Sequence, residues 1–263
     1  MSESFAFTHA IARRPAPSAV KGLRAGDGPD PDFNALLAEH AGYVAALREA
    51  GLAVTELEPL DQFPDALFVE DPALVFSEAA IVLNPGAPSR AGEGAFLRPA
   101  LEALFPQVLT LPRGQADGGD VLAMPDCVHI GLSARTDEAG AQALIDLLAG
   151  LGRKARIART PPGVLHLKTG CSLLDEESVL ALPEIIAGGT LPGYRLLPVP
   201  DGEEAGANVL RLADRILVSA RFPRLADLLD REGYRVVALE TGEIAKIDAG
   251  LTCMSLRWRS PVG

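Results

Sequence analysis

The feature that most constrains this chain is one order of elements that recurs along it. Short apolar stretches that read as paired strands are followed by a helical stretch and then by a further strand. ALFVEDPALVFSEAAIVLN (66–84) precedes a predicted helix near 88–104 and a strand at 107–111. DVLAMPDCVHIGL (120–132) precedes a helix over 137–150, with Thr136 as its N-cap and Asp137 and Glu138 in its first turn, then a strand at 155–159. VLHLKTGCSLLDEESVLAL (164–182) leads to a short helix near 183–188 and a strand at 194–200. ANVLRLADRILVSA (207–220) leads to a helix at 223–232 and a strand at 234–240, and a lone strand at 251–258 ends the series.

The first strands start at Ala66, Val121, Leu165, Asn208 and Leu251, at intervals of 43 to 55 residues. The fifth hairpin lacks its second strand, and SFAFTHAIAR near the N-terminus can supply it. A helix from 31 to 50 follows that strand, with Asp30 as N-cap and Pro31 at its first position. Phe33, Leu36, Leu37, Val44 and Leu47 mark its buried face, and Gly51 stops it. The expectation is an α/β fold, a fivefold α/β propeller of hairpin–helix–strand units, closed by pairing of its N- and C-terminal strands. Residues 1–263 then form a single domain whose strand starts meet at a central site. Residues 14–30, rich in Pro and Gly, read as a lid loop over it.

Composition narrows the partners. With 24 Lys+Arg against 35 Asp+Glu the net charge is −11, which lacks the basic footprint of a nucleic-acid binder and suits a small cationic ligand. No run of about 18 apolar residues is present to cross a bilayer. Cys127, Cys171 and Cys253 form no CxxC pair, so neither a disulfide framework nor a thiolate zinc site is indicated. The N-terminus lacks a signal-peptide pattern, and a reducing, cytoplasmic location is expected.

At the starts of the five units stand Asp65, Asp71, Asp117, Asp120, His166, Asn208 and Cys253. A thiol, an imidazole and carboxylates from separate stretches are the ingredients of nucleophilic catalysis, in which a base activates sulfur and a carboxylate orients the base. Each alone has an ordinary reading: a cysteine in an apolar strand is a small hydrophobe, and a histidine between leucines is a core residue. Cys127 and Cys171 are given that reading. Cys127 and His129, two apart on a predicted strand, could face one way, but no metal and no cofactor are expected.

Six segments carry a resemblance. In order and spacing FPDALFVED (63–71), NPGAPSR (84–90), DGGDVL (117–122), GLSARTDEAG (131–140), LHLKTGCS (165–172) and IDAGLTCMSLRW (247–258) are similar to the dimethylarginine dimethylaminohydrolases. Those belong to the guanidino-group-modifying superfamily with the pentein fold, itself a fivefold α/β propeller. The resemblance implies hydrolysis of methylated arginine to citrulline and an alkylamine through a covalent S-alkylthiouronium. It implies Cys253 as nucleophile, His166 as general acid and base, and Asp117 as the carboxylate that orients His166. Glu70 and Asp71 would face the guanidinium, Asp65 the α-amino group, and Arg90 and Arg135 the α-carboxylate. Leu23 and Ile247 would offer carbonyl groups to the α-amino group. Met254 stands where animal relatives often have a second cysteine. The same superfamily also contains arginine deiminases and citrulline-type hydrolases, and the ribosome anti-association factor uses a similar propeller without catalysis. A homo-oligomer is left open.

Overall fold

The structure is a computed structural model that describes residues 5–260. The opening Ser4 of the predicted N-terminal strand and the ends of the 1–263 domain lie outside the described residues. Among the described residues fifteen strands form five sheets of three, each with the same plan. A hairpin is antiparallel, and a helix carries the chain over to a third strand parallel to the second, since a parallel neighbour cannot be reached by a tight turn.

The first helical crossover links β1 (His9–Arg13) through α1 (Phe33–Glu49) to β2 (Ala53–Leu57). The next sheet is β3 (Ala73–Val75), β4 (Ala80–Val82), α2 (Arg98–Leu104) and β5 (Val108–Thr110). Then come β6 (Val121–Ala123), β7 (Val128–Leu132), α3 (Glu138–Gly150) and β8 (Ala155–Arg159). The fourth has a short helix α4 (Leu167–Gly170) before β9 (Cys171–Leu173), then β10 (Ser178–Ala181), α5 (Pro183–Ala187) and β11 (Arg195–Pro198). The fifth is β12 (Leu210–Leu212), β13 (Arg215–Ser219), α6 (Pro223–Arg231) and β14 (Arg235–Leu239). The last strand, β15 (Leu256–Trp258), pairs antiparallel with β1, His9 opposite Trp258 and Ile11 opposite Leu256. Trp258 also stacks on His9 and tilts against Phe105, so the join between the two chain ends is packed by aromatic rings.

Local chemistry accounts for the element ends. α1 buries Leu36, His40, Tyr43, Val44 and Leu47, one stripe at helical spacing. Its N-cap is Asp32, which accepts the Ala35 N–H at 2.8 Å, and not Asp30, whose carboxylate is taken by Lys21 and Arg24. Gly51, at φ +91°, ends it. α3 is capped by Asp137, which accepts from Gly140 N at 2.6 Å; Thr136 instead donates its hydroxyl to the buried Asp120.

The first strands are shorter than their sequence pattern. Four begin later than the pattern puts them, at Ala73, Cys171, Leu210 and Leu256, and one begins at Val121 as expected, so 66–71 forms turns and 252–254 a 3-10 turn rather than strand. The residues ahead of these strands, Asp65, Glu70, Asp71 and Asp117 among them, are buried and polar, and turns let their carboxylates meet donors that a paired strand would not present. The 14–30 segment is also more ordered than expected, with a 3-10 turn at Pro17–Lys21. Cys127 precedes β7 and does not share its face with His129 through a strand. No helix among the described residues is long and apolar enough to cross a membrane.

Candidate active site

At one end of the axis the turns ahead of the first strands enclose a cavity of about 390 Å³, the volume of a small-ligand site. Leu23, Asp65, Asp71, Arg90, Asp117, Arg135, His166, Ile247 and Cys253 all line it. These side chains are separated by up to 230 positions, yet the ring brings them together: Asp65, Asp71, Asp117, His166 and Cys253 stand ahead of first strands, and Arg90 and Arg135 follow the second strands of their hairpins.

Asp117 lies at the start of the 3-10 turn Gly118–Asp120, and one of its oxygens is 3.0 Å from Nε2 of His166. Its other oxygen accepts the Gly86 N–H at 2.7 Å, which fixes the carboxylate plane. The Asp-Gly-Gly sequence is a close-packing requirement as well as a turn. A Cβ on Gly118 would stand 1.9 Å from the Glu70 carbonyl oxygen, and one on Gly119 2.7 Å from His166 Nδ1. Asp120, fully buried, accepts the Leu167 N–H at 2.9 Å together with the hydroxyls of Ser133 and Thr136. It thereby holds the backbone just after His166. Burial opposes charge on His166, but the hydrogen bond it donates to Asp117 and the charges of Asp71, Asp120 and Asp117 outweigh it and lift the imidazole to about 9.

Cys253 sits in the 3-10 turn Thr252–Met254. Burial pushes its thiol up to about 12, and the charges of Glu70 and Asp71 add to the shift. These shifts favour a neutral thiol and an imidazolium at neutral pH. Asn208 braces the turn by accepting the Thr252 N–H at 2.9 Å while its amide donates to the Lys168 carbonyl.

The structure divides the Glu70–Asp71 pair. Asp71 faces the cavity, accepting from Gly119 N at 3.1 Å and from Arg90 at 2.5 Å; burial resists its charge, but Arg90, His166 and Lys168 hold its carboxyl below the usual range. The Glu70 carboxylate points to the other side, where it meets Lys168 at 2.6 Å, Arg257 at 3.2 Å and the Thr252 hydroxyl at 2.8 Å. It underpins the Cys253 turn and does not line the cavity.

The two arginines also differ. Arg90 is buried and binds Glu93 through two nitrogens, Asp71 through a third contact and the Phe68 carbonyl through a fourth, leaving one N–H for a ligand. Arg135 lines the cavity and forms no ion pair among the described residues. Glu93, Lys168 and Thr252 were not singled out from sequence; Glu93 stands three residues after Arg90, Lys168 two after His166, and Thr252 directly before Cys253.

Leu23, Arg24 and Ala25 of the 14–30 segment line the cavity. The Asp65 carboxylate accepts the Leu23 N–H at 2.8 Å, Asp248 accepts the Ala25 N–H, and Glu243 accepts the Asp32 N–H at 2.6 Å. Burial raises the Asp65 carboxyl above its ordinary range, opposed by Arg90 and the Leu23 hydrogen bond. Ile247, buried, ends the 3-10 turn that precedes Asp248. Asp71, Asp117 and His166 place ligand atoms within 4.8 Å of one another, a spacing a cation could use. Asp71 is already paired with Arg90 and Asp117 with His166, so a cation there would have to displace both.

Fold and site together define a class: a fivefold α/β propeller with a cysteine, a histidine–carboxylate pair and a free arginine gathered at its axis. Comparison with known proteins narrows it. Residues 106–200 match the arginine deiminase family model. N(G),N(G)-dimethylarginine dimethylaminohydrolase of Pseudomonas aeruginosa is 36% identical over 96% of this chain and 100% of its own, and that of Streptomyces coelicolor 36% over 95% and 96%. A solved structure of the Pseudomonas aeruginosa protein, a cysteine-to-serine variant complexed with citrulline, superposes with a TM-score of 0.92 at 36% identity, covering 96% of this chain and 100% of that one. A cyanobacterial arginine dihydrolase domain shares the fold at a TM-score of 0.84 with 17% identity, covering 96% and 98%. The chain belongs to the dimethylarginine dimethylaminohydrolase family.

Proposed function

We propose that the protein is a hydrolase that converts Nω-methylated arginine to citrulline and methylamine or dimethylamine. One observation carries this: Cys253, the His166–Asp117 pair, Asp71 and the unpaired Arg135 line a single cavity although they come from different units. The citrulline bound by the Pseudomonas aeruginosa relative supports the same ligand class here. In this reading Arg135, with the remaining Arg90 N–H, takes the α-carboxylate. Asp65 and the carbonyls of Leu23 and Ile247 take the α-amino group, and Asp71 takes the guanidinium. Glu70 acts from behind the nucleophile, holding Thr252. Residues 14–30 act as the lid.

A guanidinium is a poor electrophile, so its carbon must be aligned with sulfur and its charge localised by Asp71. The incoming cation offsets the carboxylates that oppose a Cys253 thiolate, and the thiol proton leaves to solvent. The thiolate adds to the guanidinium carbon. Protonated His166 gives its proton to the departing amine, leaving the S-alkylthiouronium. The resulting neutral His166 takes a proton from water, the hydroxide adds to the same carbon, and the C–S bond breaks to release citrulline.

The test is incubation of the purified protein with asymmetric dimethylarginine, monomethylarginine and arginine, with citrulline and amine measured. Citrulline from a methylated substrate, lost in Cys253→Ser, supports the reading. Turnover of arginine alone favours an arginine deiminase, the reading that the match over 106–200 supports, and turnover of none defeats the hydrolase assignment.

A further inference from the structure

A second cavity, of about 580 Å³, opens at the opposite end of the axis, where the bodies of the first strands converge. Glu70, Thr252 and Cys253 form the partition between the two: the Glu70 N–H donates to the Cys253 carbonyl at 3.2 Å, and its side chain accepts from Thr252. The charge of this rear cavity is opposite to that of the molecule. Among its lining residues Glu70 is the sole carboxylate, faced by five cations, in a protein of net charge −11. Arg153 is neutralised by Glu78, two hydrogen bonds at 2.6 and 2.9 Å, and Arg259 is engaged in a contact of its own. Lys168 and Arg257 share the single charge of Glu70. Arg211 has no ion pair among the described residues; its Nε donates to the Ala213 carbonyl at 3.0 Å and its guanidinium lies by the rings of Phe5 and Tyr234. Three cations thus face one carboxylate.

We propose that this rear cavity is a binding site for a small dianionic oxyanion of the phosphate class, held by Arg211, Arg257 and Lys168. An excess of two positive charges on low-dielectric walls focuses a field on the cavity, and a dianion matches it in sign and magnitude. Guanidinium forks suit tetrahedral oxyanions, and the rings beside Arg211 restrict its orientation. The volume exceeds that of a bare phosphate, so a phosphate monoester fits as well as the free ion. The proposal is independent of the hydrolase reading, because none of these three side chains lines the front cavity.

The experiment is calorimetric titration of the full protein with inorganic phosphate and, separately, with glycerol 2-phosphate, at constant ionic strength set by chloride. Saturable binding of one equivalent is expected. Arg211→Gln is expected to weaken it by roughly tenfold or more, Arg211→Lys to weaken it less, keeping the charge but losing the fork, and the front-cavity variant Arg135→Gln to leave it unchanged. Tighter binding of the ester identifies a phosphate monoester as the ligand, and equal or tighter binding of phosphate identifies the free ion. No saturable binding of either, or binding unchanged in Arg211→Gln, overturns the proposal. A crystal soaked in tungstate provides a reading that needs no variant: a heavy atom at Arg211, Arg257 and Lys168 supports the site, and one confined to Arg135 refutes it.

Discussion

Replacing Asp117 by asparagine preserves the size of the side chain and removes its charge, so it isolates what this carboxylate does for His166. Burial by itself disfavours an imidazolium, yet the Asp117 hydrogen bond and the charges of Asp71, Asp120 and Asp117 raise the ring from 6.5 to about 9. That rise is worth about 3 kcal/mol in favour of the protonated ring. Because the folded value lies above the unfolded one, the stabilisation is fully present below about pH 6.5 and is lost as pH rises through about 9. In Asp117→Asn the charge-assisted hydrogen bond at 3.0 Å is gone while the burial is unchanged. The ring should then titrate lower by about one pH unit or more, equivalent to about 1.4 kcal/mol per unit. The assay is NMR titration of the His166 Cε1 proton in both proteins, with urea unfolding measured from pH 6 to 9.5. The parent protein should lose stability across that window, and the variant should lose less. A variant in which His166 still titrates near pH 9, with an unchanged stability profile, refutes the assignment of Asp117 as the group that holds the proton on His166.

Gly119→Ala places a methyl 2.7 Å from His166 Nδ1 and 2.9 Å from Asp71 Oδ1, so kcat should fall by about 100-fold with the protein still folded; near-normal kcat would mean that the imidazole is free to move. Arg135→Gln should raise KM by roughly 10- to 100-fold with a smaller effect on kcat, the loss expected for a charged hydrogen bond to a carboxylate. With substrate absent, alkylation of Cys253 by iodoacetamide should be slow at pH 7 and climb through the alkaline range, because burial and the neighbouring carboxylates push its thiol up to about 12. A reactivity midpoint near neutrality would contradict that.

Much of the fold was legible because its signals are local. Alternating apolar residues, turn residues and a helical stripe recur at a steady interval, and β8 and the ends of α6 and β14 fall within a residue of where the pattern puts them. Apart from Val121, the starts of the first strands were not legible. Asp65, Glu70, Asp71 and Asn208 stand in stretches with ordinary strand patterning, and only the donors that meet them across the axis turn those stretches into loops. The caps show the same limit: Asp30 and Asp32 are equally good N-caps by type, and Lys21 and Arg24 decide between them by occupying Asp30.

By itself the sequence determined the number and order of the units and the placement of Asp117, His166 and Cys253 ahead of their first strands. Those depend on neighbours a few residues apart. Tertiary structure alone decided which way adjacent carboxylates face. Glu70 turns toward Lys168 and Arg257 while Asp71 turns toward Gly119 and Arg90. It also decided that Arg90 has nearly all its donors taken while Arg135 forms no ion pair among the described residues. The physical reason is that a buried charge takes its orientation from the partners that compensate it, and here those partners come from distant parts of the ring.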